Sequence, residues 1–90
     1  MAKAVVNPED LRRFAFELKQ FNTEVQAQIT SINRRFVKLS ETWQDQEQTR
    51  FAEQFEQMTR NLSKFMDVSE KHIPFLMRKA ERIQEYLDQR

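Results

Sequence analysis

The stretch Leu39-Ser40-Glu41-Thr42-Trp43-Gln44-Asp45 divides this 90-residue chain into two amphipathic halves of similar length. Trp43 is the only tryptophan, and it stands where the first apolar stripe ends. Asp45 is a candidate N-cap for a second helix, with Gln48 completing a capping box; Thr42 is an alternative cap. One bend between two long helices predicts an antiparallel hairpin. Because a hairpin offers no deep pocket, we expect function to reside in what packs against it.

The N-terminal half predicts a helix over about residues 8–40. It starts at Asn7-Pro8-Glu9-Asp10, where Asn7 can cap, Pro8 suits the first turn and two acids suit the helix dipole. Apolar residues then recur at steps of three and four, as on one face of a helix. They are Leu11, Phe14, Leu18, Phe21, Val25, Ile29, Ile32, Phe36, Leu39 and Trp43.

The C-terminal half predicts a second helix over about residues 46–88, after a bend at about 41–45. Pro74 lies inside this pattern, and we expect a kink there in a continuous helix, because proline lacks an amide donor and crowds the preceding turn. The stripe again has steps of three and four. Its members are Phe51, Phe55, Met58, Leu62, Phe65, Ser69, Ile73, Leu76, Ala80, Ile83 and Leu87.

The composition favours a single all-α domain and lacks residue types on which many catalytic sites depend. There is no cysteine and no glycine, which excludes disulfides, Cys-type zinc sites and glycine-rich phosphate loops. The single histidine, His72, is too little for a metal site, and the carboxylates have the spacing of solvated helix faces. We therefore expect no enzyme activity, no cofactor and no metal.

Charge and hydropathy argue against nucleic acid and membrane-spanning roles. The chain carries 15 basic and 14 acidic residues, whereas nucleic-acid binders usually present a net basic face. No apolar run approaches the roughly 20 residues that a membrane span needs. The segment Met1-Ala2-Lys3-Ala4-Val5-Val6 is too short for a cleaved signal peptide, so any export is expected to use another route.

The apolar stripes are too wide for two helices to cover by themselves, because their flanks would stay wet. We therefore expect a homodimer, or a heterodimer with a sibling hairpin, packed as a four-helix bundle. The residues expected at this interface are Leu11, Phe14, Leu18, Phe21, Val25, Ile29, Ile32, Phe36, Phe55, Met58, Leu62 and Phe65.

Five further apolar residues, Phe16, Met66, Val68, Phe75 and Met77, lie off these stripes. They either widen the dimer interface or form a patch for a third partner, since methionine-rich surfaces adapt to varied ligands.

Several of these residues resemble the WXG family, the early secretory antigenic target-like helical hairpins of type VII secretion. The shared features are the start Val6-Asn7-Pro8-Glu9-Asp10-Leu11 with Ala15, a leucine four residues before the tryptophan, and a phenylalanine eight residues after it, here Leu39 and Phe51. Asp45 stands where the family has glycine. The family's export signal is Tyr-X-X-X-Asp/Glu, and here Tyr86 is followed by Arg90 at the acidic position.

The resemblance implies a dimerising hairpin that serves as substrate, partner or structural component of a type VII-like secretion system. Trp43, Asp45 and Tyr86 would then form a composite recognition feature, a secretion ATPase would be a possible partner, and the protein would be secreted without a cleaved signal peptide. The alternative is an intracellular, cytoplasmic coiled-coil adaptor or assembly subunit that is not exported.

Overall fold

The computed structural model describes residues 6–89, and they form two long antiparallel helices. Helix α1 spans Pro8–Leu39 and helix α2 spans Gln46–Asp88. The two helices pack along their length into a rod that extends 68 Å along its long axis. The predicted all-α hairpin is therefore confirmed, and its two ends are the bend at residues 40–45 and the end where α1 starts and α2 finishes.

Helix α1 begins with the cap that the sequence predicted. The Asn7 side chain accepts a hydrogen bond from the backbone N–H of Glu9 at 2.8 Å, and Pro8 occupies the first helical position. Glu9 pairs with Arg12, and Asp10 pairs with Arg13, each at 2.9 Å. These exposed ion pairs contribute little stability. The start of the helix is therefore determined mainly by the Asn7 cap and by the spacing of the apolar residues.

Helix α2 begins at the predicted cap, Asp45, but without a complete capping box. The Asp45 carboxylate accepts the backbone N–H of Gln48 at 2.9 Å. The Gln48 side chain does not return to Asp45; instead its Nε2 donates to the Ser40 hydroxyl at 2.9 Å. Thr42, the alternative cap, donates its hydroxyl to the Leu39 carbonyl at 3.3 Å. The prediction of the cap was correct, whereas the reciprocal box was wrong.

The bend closes without any left-handed residue. Among residues 6–89, no non-glycine residue has a positive φ, and Asp45 itself is extended at φ −92° and ψ −174°. The Trp43 backbone N–H donates to the Leu39 carbonyl at 3.0 Å, which continues the last turn of α1 into the bend. The turn is therefore built from ordinary backbone conformations that do not require glycine.

The line of closest contact between the helices runs through small and polar residues. Ala15 and Ala80 are fully buried, and Ile29 and Met66 are nearly so. Two polar residues, Asn22 and Ser69, are buried at the same level and hydrogen-bond to each other. Small side chains allow the backbones to approach closely, so the larger aromatic residues are placed beside this line instead of inside it.

Helix α2 continues through Pro74 without interruption. The apolar phase is kept on both sides of the proline, as the sequence suggested, while the size of the kink stays a prediction. No helix in the described part of the chain is long and apolar enough to cross a membrane.

Candidate partner interface and bend

One face of the hairpin carries large apolar side chains from both helices that remain in contact with solvent. Phe14, Phe21 and Phe65 are 54%, 50% and 57% exposed. We call this surface the apolar face and define it by the six exposed residues among those predicted for the dimer interface, which are Phe14, Phe21, Ile32, Met58, Leu62 and Phe65. Such a continuous exposed apolar surface is unusual on a monomer and typical of a protein interface.

Shallow grooves along the apolar face are lined by both helices together. One groove lies between Phe14 and Leu18 of α1 and Phe65, Val68 and Leu76 of α2. A second groove is lined by Phe21, Val25, Ile29, Ile32 and Leu62, and a third by Ile32, Phe36, Leu39, Phe51 and Phe55. Their shape therefore depends on how α1 and α2 are aligned along the rod.

The twelve residues predicted for a dimer interface occupy three environments. Six of them form the apolar face. Leu11, Leu18, Val25, Phe36 and Phe55 are half-buried between this face and the contact line of the helices. Ile29 is only 7% exposed and packs inside the hairpin, so it supports the hairpin more than any surface contact.

The bend end of the apolar face is an aromatic cluster that joins the two helices. The Phe36 ring centroid lies 5.5 Å from that of Phe51 and 5.1 Å from that of Phe55. The Trp43 ring centroid lies 5.9 Å from that of Phe51, so the indole covers the first turns of α2. Tilted aromatic pairs at these distances stabilise the turn beyond their buried area.

A family model described as proteins of 100 residues with WXG matches residues 4–88 of this sequence. The chain belongs to the WXG100 family. Solved structures of the secreted protein EsxB from Bacillus anthracis str. Sterne have the same fold. One form is 26% identical with a TM-score of 0.77, covering 96% of this chain and 98% of that one. A mutant form is 28% identical with a TM-score of 0.76, covering 92% and 89%. No curated protein sequence matches significantly.

The bend shows how this WXG100 chain accommodates aspartate at the glycine position of the motif. Asp45 is extended, a conformation that any residue adopts, and its carboxylate caps α2. The substitution therefore costs no backbone strain and adds a capping oxygen.

The three residues predicted to form a composite recognition feature lie at the two ends of the rod. Trp43 is half-buried and Asp45 exposed at the bend, whereas Tyr86 is 67% exposed in the last turn of α2. A single hairpin therefore keeps Trp43 and Tyr86 apart. Arg90, which stands at the acidic position of the family's export signal, lies outside the described residues, as do positions 1–5 of the segment considered for a signal peptide.

The structure divides the residues predicted to lie off the stripes. Met66 is only 5% exposed and packs between the helices, so a single hairpin does not present it on its surface. Phe16, Phe75 and Met77 are exposed. Phe16 projects about 200° around α1 from Phe14, since a helix turns by roughly 100° per residue. It lies beside Lys19, Gln20, Thr23 and Glu24, away from the apolar face.

His72 lies at the edge of the groove formed by Phe14, Leu18 and Phe65. Its Nδ1 is 2.9 Å from the Val68 carbonyl oxygen one turn earlier in α2. Within residues 6–89, no three potential metal-binding side chains come together. His72 is exposed at the edge of this groove.

The buried polar pair Asn22–Ser69 was not predicted. Asn22 is polar and therefore lies outside the predicted apolar stripe, although it stands at helical spacing between Leu18 and Val25. The signal that could have found it is Ser69, which is the one polar residue of the second stripe. A polar residue on each helix at the same level is the pattern of a buried hydrogen bond.

Proposed function

We propose that this WXG100 protein is a non-enzymatic secretion substrate or partner of a type VII-like system, and that it acts as a dimer through its apolar face. The observation that carries the proposal is the exposure of large apolar side chains on both helices of one face. The similar structures of EsxB, which is described as a secreted protein, support the same role.

Burial of the apolar face is the physical reason for a dimer. Fully burying a large apolar side chain contributes about 1.5–3 kcal/mol, and the hairpin leaves phenylalanines about half exposed. A second hairpin placed on this face gives a four-helix bundle with a shared core. A second copy of the chain and a sibling hairpin both satisfy this requirement.

The separation of Trp43 and Tyr86 adds a reason for an antiparallel arrangement. The two residues belong to opposite ends of a rod that extends 68 Å. In an antiparallel dimer, the bend of one hairpin lies beside the α2 terminus of its partner. Trp43 and Asp45 of one protomer would then form one surface with Tyr86 of the other, available to a secretion ATPase.

An export assay tests this proposal. The tagged chain is expressed in its natural host, with and without the secretion ATPase, and assayed in the medium and in the cells. We expect export that requires the ATPase, and at least a tenfold loss of export for Tyr86→Ala with unchanged helicity. Phe16→Ala is the matched control, because Phe16 is a similarly exposed aromatic that lies more than two helical turns inside α1, and its export should be unchanged.

The opposite results have clear meanings. Retention of the wild-type chain in cells that export other substrates would contradict secretion and favour an intracellular coiled-coil adaptor. That alternative is supported by one observation, the presence of Arg90 where the export signal has an acid. Loss of export for Phe16→Ala alone would instead assign recognition to the surface around Phe16.

A further inference from the structure

We infer that the Asn22–Ser69–Glu70 cluster, in which Asn22 and Ser69 are buried and Glu70 is exposed, sets the axial register of the hairpin and thereby aligns the two halves of the apolar face. Asn22 and Ser69 are 3% and 6% exposed. The Asn22 amide donates to the Ser69 hydroxyl at 3.0 Å and to the Glu70 carboxylate at 2.9 Å. The Ser69 hydroxyl donates back to the Asn22 carbonyl oxygen at 3.2 Å.

All polar atoms of this cluster that are buried have partners. No buried side-chain nitrogen or oxygen within residues 6–89 lacks a hydrogen bond. A satisfied buried cluster tolerates one alignment of its members, because a displaced amide would remain in the contact line without a partner. A buried asparagine in a helical interface is known to select register for this reason.

The rest of the contact line does not select one alignment as strongly. Apolar stripes with heptad-like spacing can slide by seven residues and still meet apolar side chains. Such a slip would place Asn22 level with Leu62 or Leu76, and Ser69 level with Ala15 or Ile29. The apolar contacts would largely be re-formed, but the two polar side chains would each face a hydrocarbon surface.

The bend is also a weak constraint on register. A slip of one heptad moves the turn by about half a heptad, roughly one helical turn. The Asp45 cap and the Trp43–Phe51 contact favour the observed reversal, but both act only at the bend end, and no described residue there has a positive φ that would require one position. The polar cluster is thus the feature of the hairpin that distinguishes one register from its neighbours.

Register matters for the surface because the grooves are shared. Phe14 and Leu18 meet Phe65 and Val68 on one side of the cluster, and Phe21 and Val25 meet Leu62 on the other. A slipped hairpin would separate these partners and change the shape offered to a second hairpin. This consequence for partner binding rests on the proposed function, whereas the register itself does not.

Distance measurements between spin labels test the inference. The chain has no cysteine, so single cysteines at the exposed positions Gln20 and Gln54 can be labelled specifically. These positions are offset along the rod, so a slip of seven residues changes their separation by about 10 Å at roughly 1.5 Å per residue. Labelled protein is diluted with excess unlabelled protein, so that only distances within one hairpin are read.

We expect one narrow distance distribution for the labelled parent and for the control Asn33→Leu, which alters an exposed asparagine of α1. The double variant Asn22→Leu/Ser69→Ala should show at least one further population displaced by about 10 Å. A single unshifted distribution for this variant would overturn the inference, because the bend or the apolar contacts would then suffice.

A second variant keeps the test decisive if the apolar variant does not fold. Exchanging the two residues, as Asn22→Ser/Ser69→Asn, retains one amide and one hydroxyl at the same level. One narrow distribution at the parental distance supports the register role. Several populations in the exchanged variant would contradict it, and an export defect without a change in distance would concern the proposed function alone.

Discussion

At the residue scale, Asp45 shows how a departure from a family motif is accommodated by local chemistry. The motif glycine suggests a bend that needs unusual backbone angles, yet Asp45 is extended and caps α2. The cap was predictable from the sequence because aspartate is a preferred N-cap residue and stands directly before a helical pattern. It did not reveal that Gln48 would bond to Ser40, since that contact depends on the path of the bend.

The cap gives a prediction for two substitutions of one residue. Asp45→Ala should lower the free energy of unfolding by about 1 kcal/mol, because the Gln48 N–H loses its acceptor. Asp45→Gly, which restores the family motif, should cost only a few tenths of a kcal/mol. Urea denaturation at matched protein concentration measures both. A larger loss for glycine than for alanine would contradict the capping role.

At the element scale, the helices were predictable and their line of contact was not. Caps at Asn7 and Asp45 and the apolar spacing located both helices. The spacing predicted one apolar stripe on each helix, and Ala80 of the second stripe is buried as part of it. The helices also meet outside the stripes, at Ala15 and Asn22, because close packing favours small side chains and a polar pair is acceptable once bonded. Apolar periodicity gives a face, but not which part of the face is innermost.

Pro74 is unfavourable in the interior of α2, because proline has no backbone N–H. It lies inside a continuous helix, where it leaves the Glu70 carbonyl without its helical donor. Pro74→Ala should raise the free energy of unfolding by about 1–3 kcal/mol, since proline is unfavourable in a helix interior. Denaturation monitored by circular dichroism measures the change.

Pro8→Ala is the matched control for Pro74→Ala. Pro8 occupies the first helical position, where proline is well tolerated, and its side chain is buried. This variant should leave stability unchanged or reduce it. Destabilisation by Pro74→Ala would show that the proline is required by the packed structure, and would contradict the expectation.

At the scale of the whole molecule, the hairpin is an incomplete core. It is long and thin, with extents of 68 × 23 × 17 Å, and it buries few large side chains. Two hairpins sharing the apolar face would bury the phenylalanines that one hairpin leaves exposed. The fold class and much of this face were predictable from the sequence, because large apolar residues recur at helical spacing in both halves of the chain. The position of Met66 was not, since it lies off the stripe in sequence but inside the rod.

A matched pair of phenylalanine variants separates the apolar face from the rest of the surface. Phe65→Ser should weaken association at least tenfold, because Phe65 lies on the apolar face and is 57% exposed in the hairpin. Phe16→Ser removes a side chain of similar exposure, 60%, from another side of α1. It should leave association unchanged. Equal effects of the two variants would contradict assignment of the interface to the apolar face.

Sedimentation equilibrium of the wild-type chain at micromolar concentration measures most directly whether the apolar face is covered by a second hairpin. A self-associating chain is predicted to sediment at about 22 kDa, twice its 11.0-kDa mass, with full helicity. If the partner is a sibling hairpin, the one-to-one mixture is predicted to show the mass of the pair. A fully helical, well-folded particle of 11.0 kDa, in the presence of that sibling as well as alone, would contradict the account.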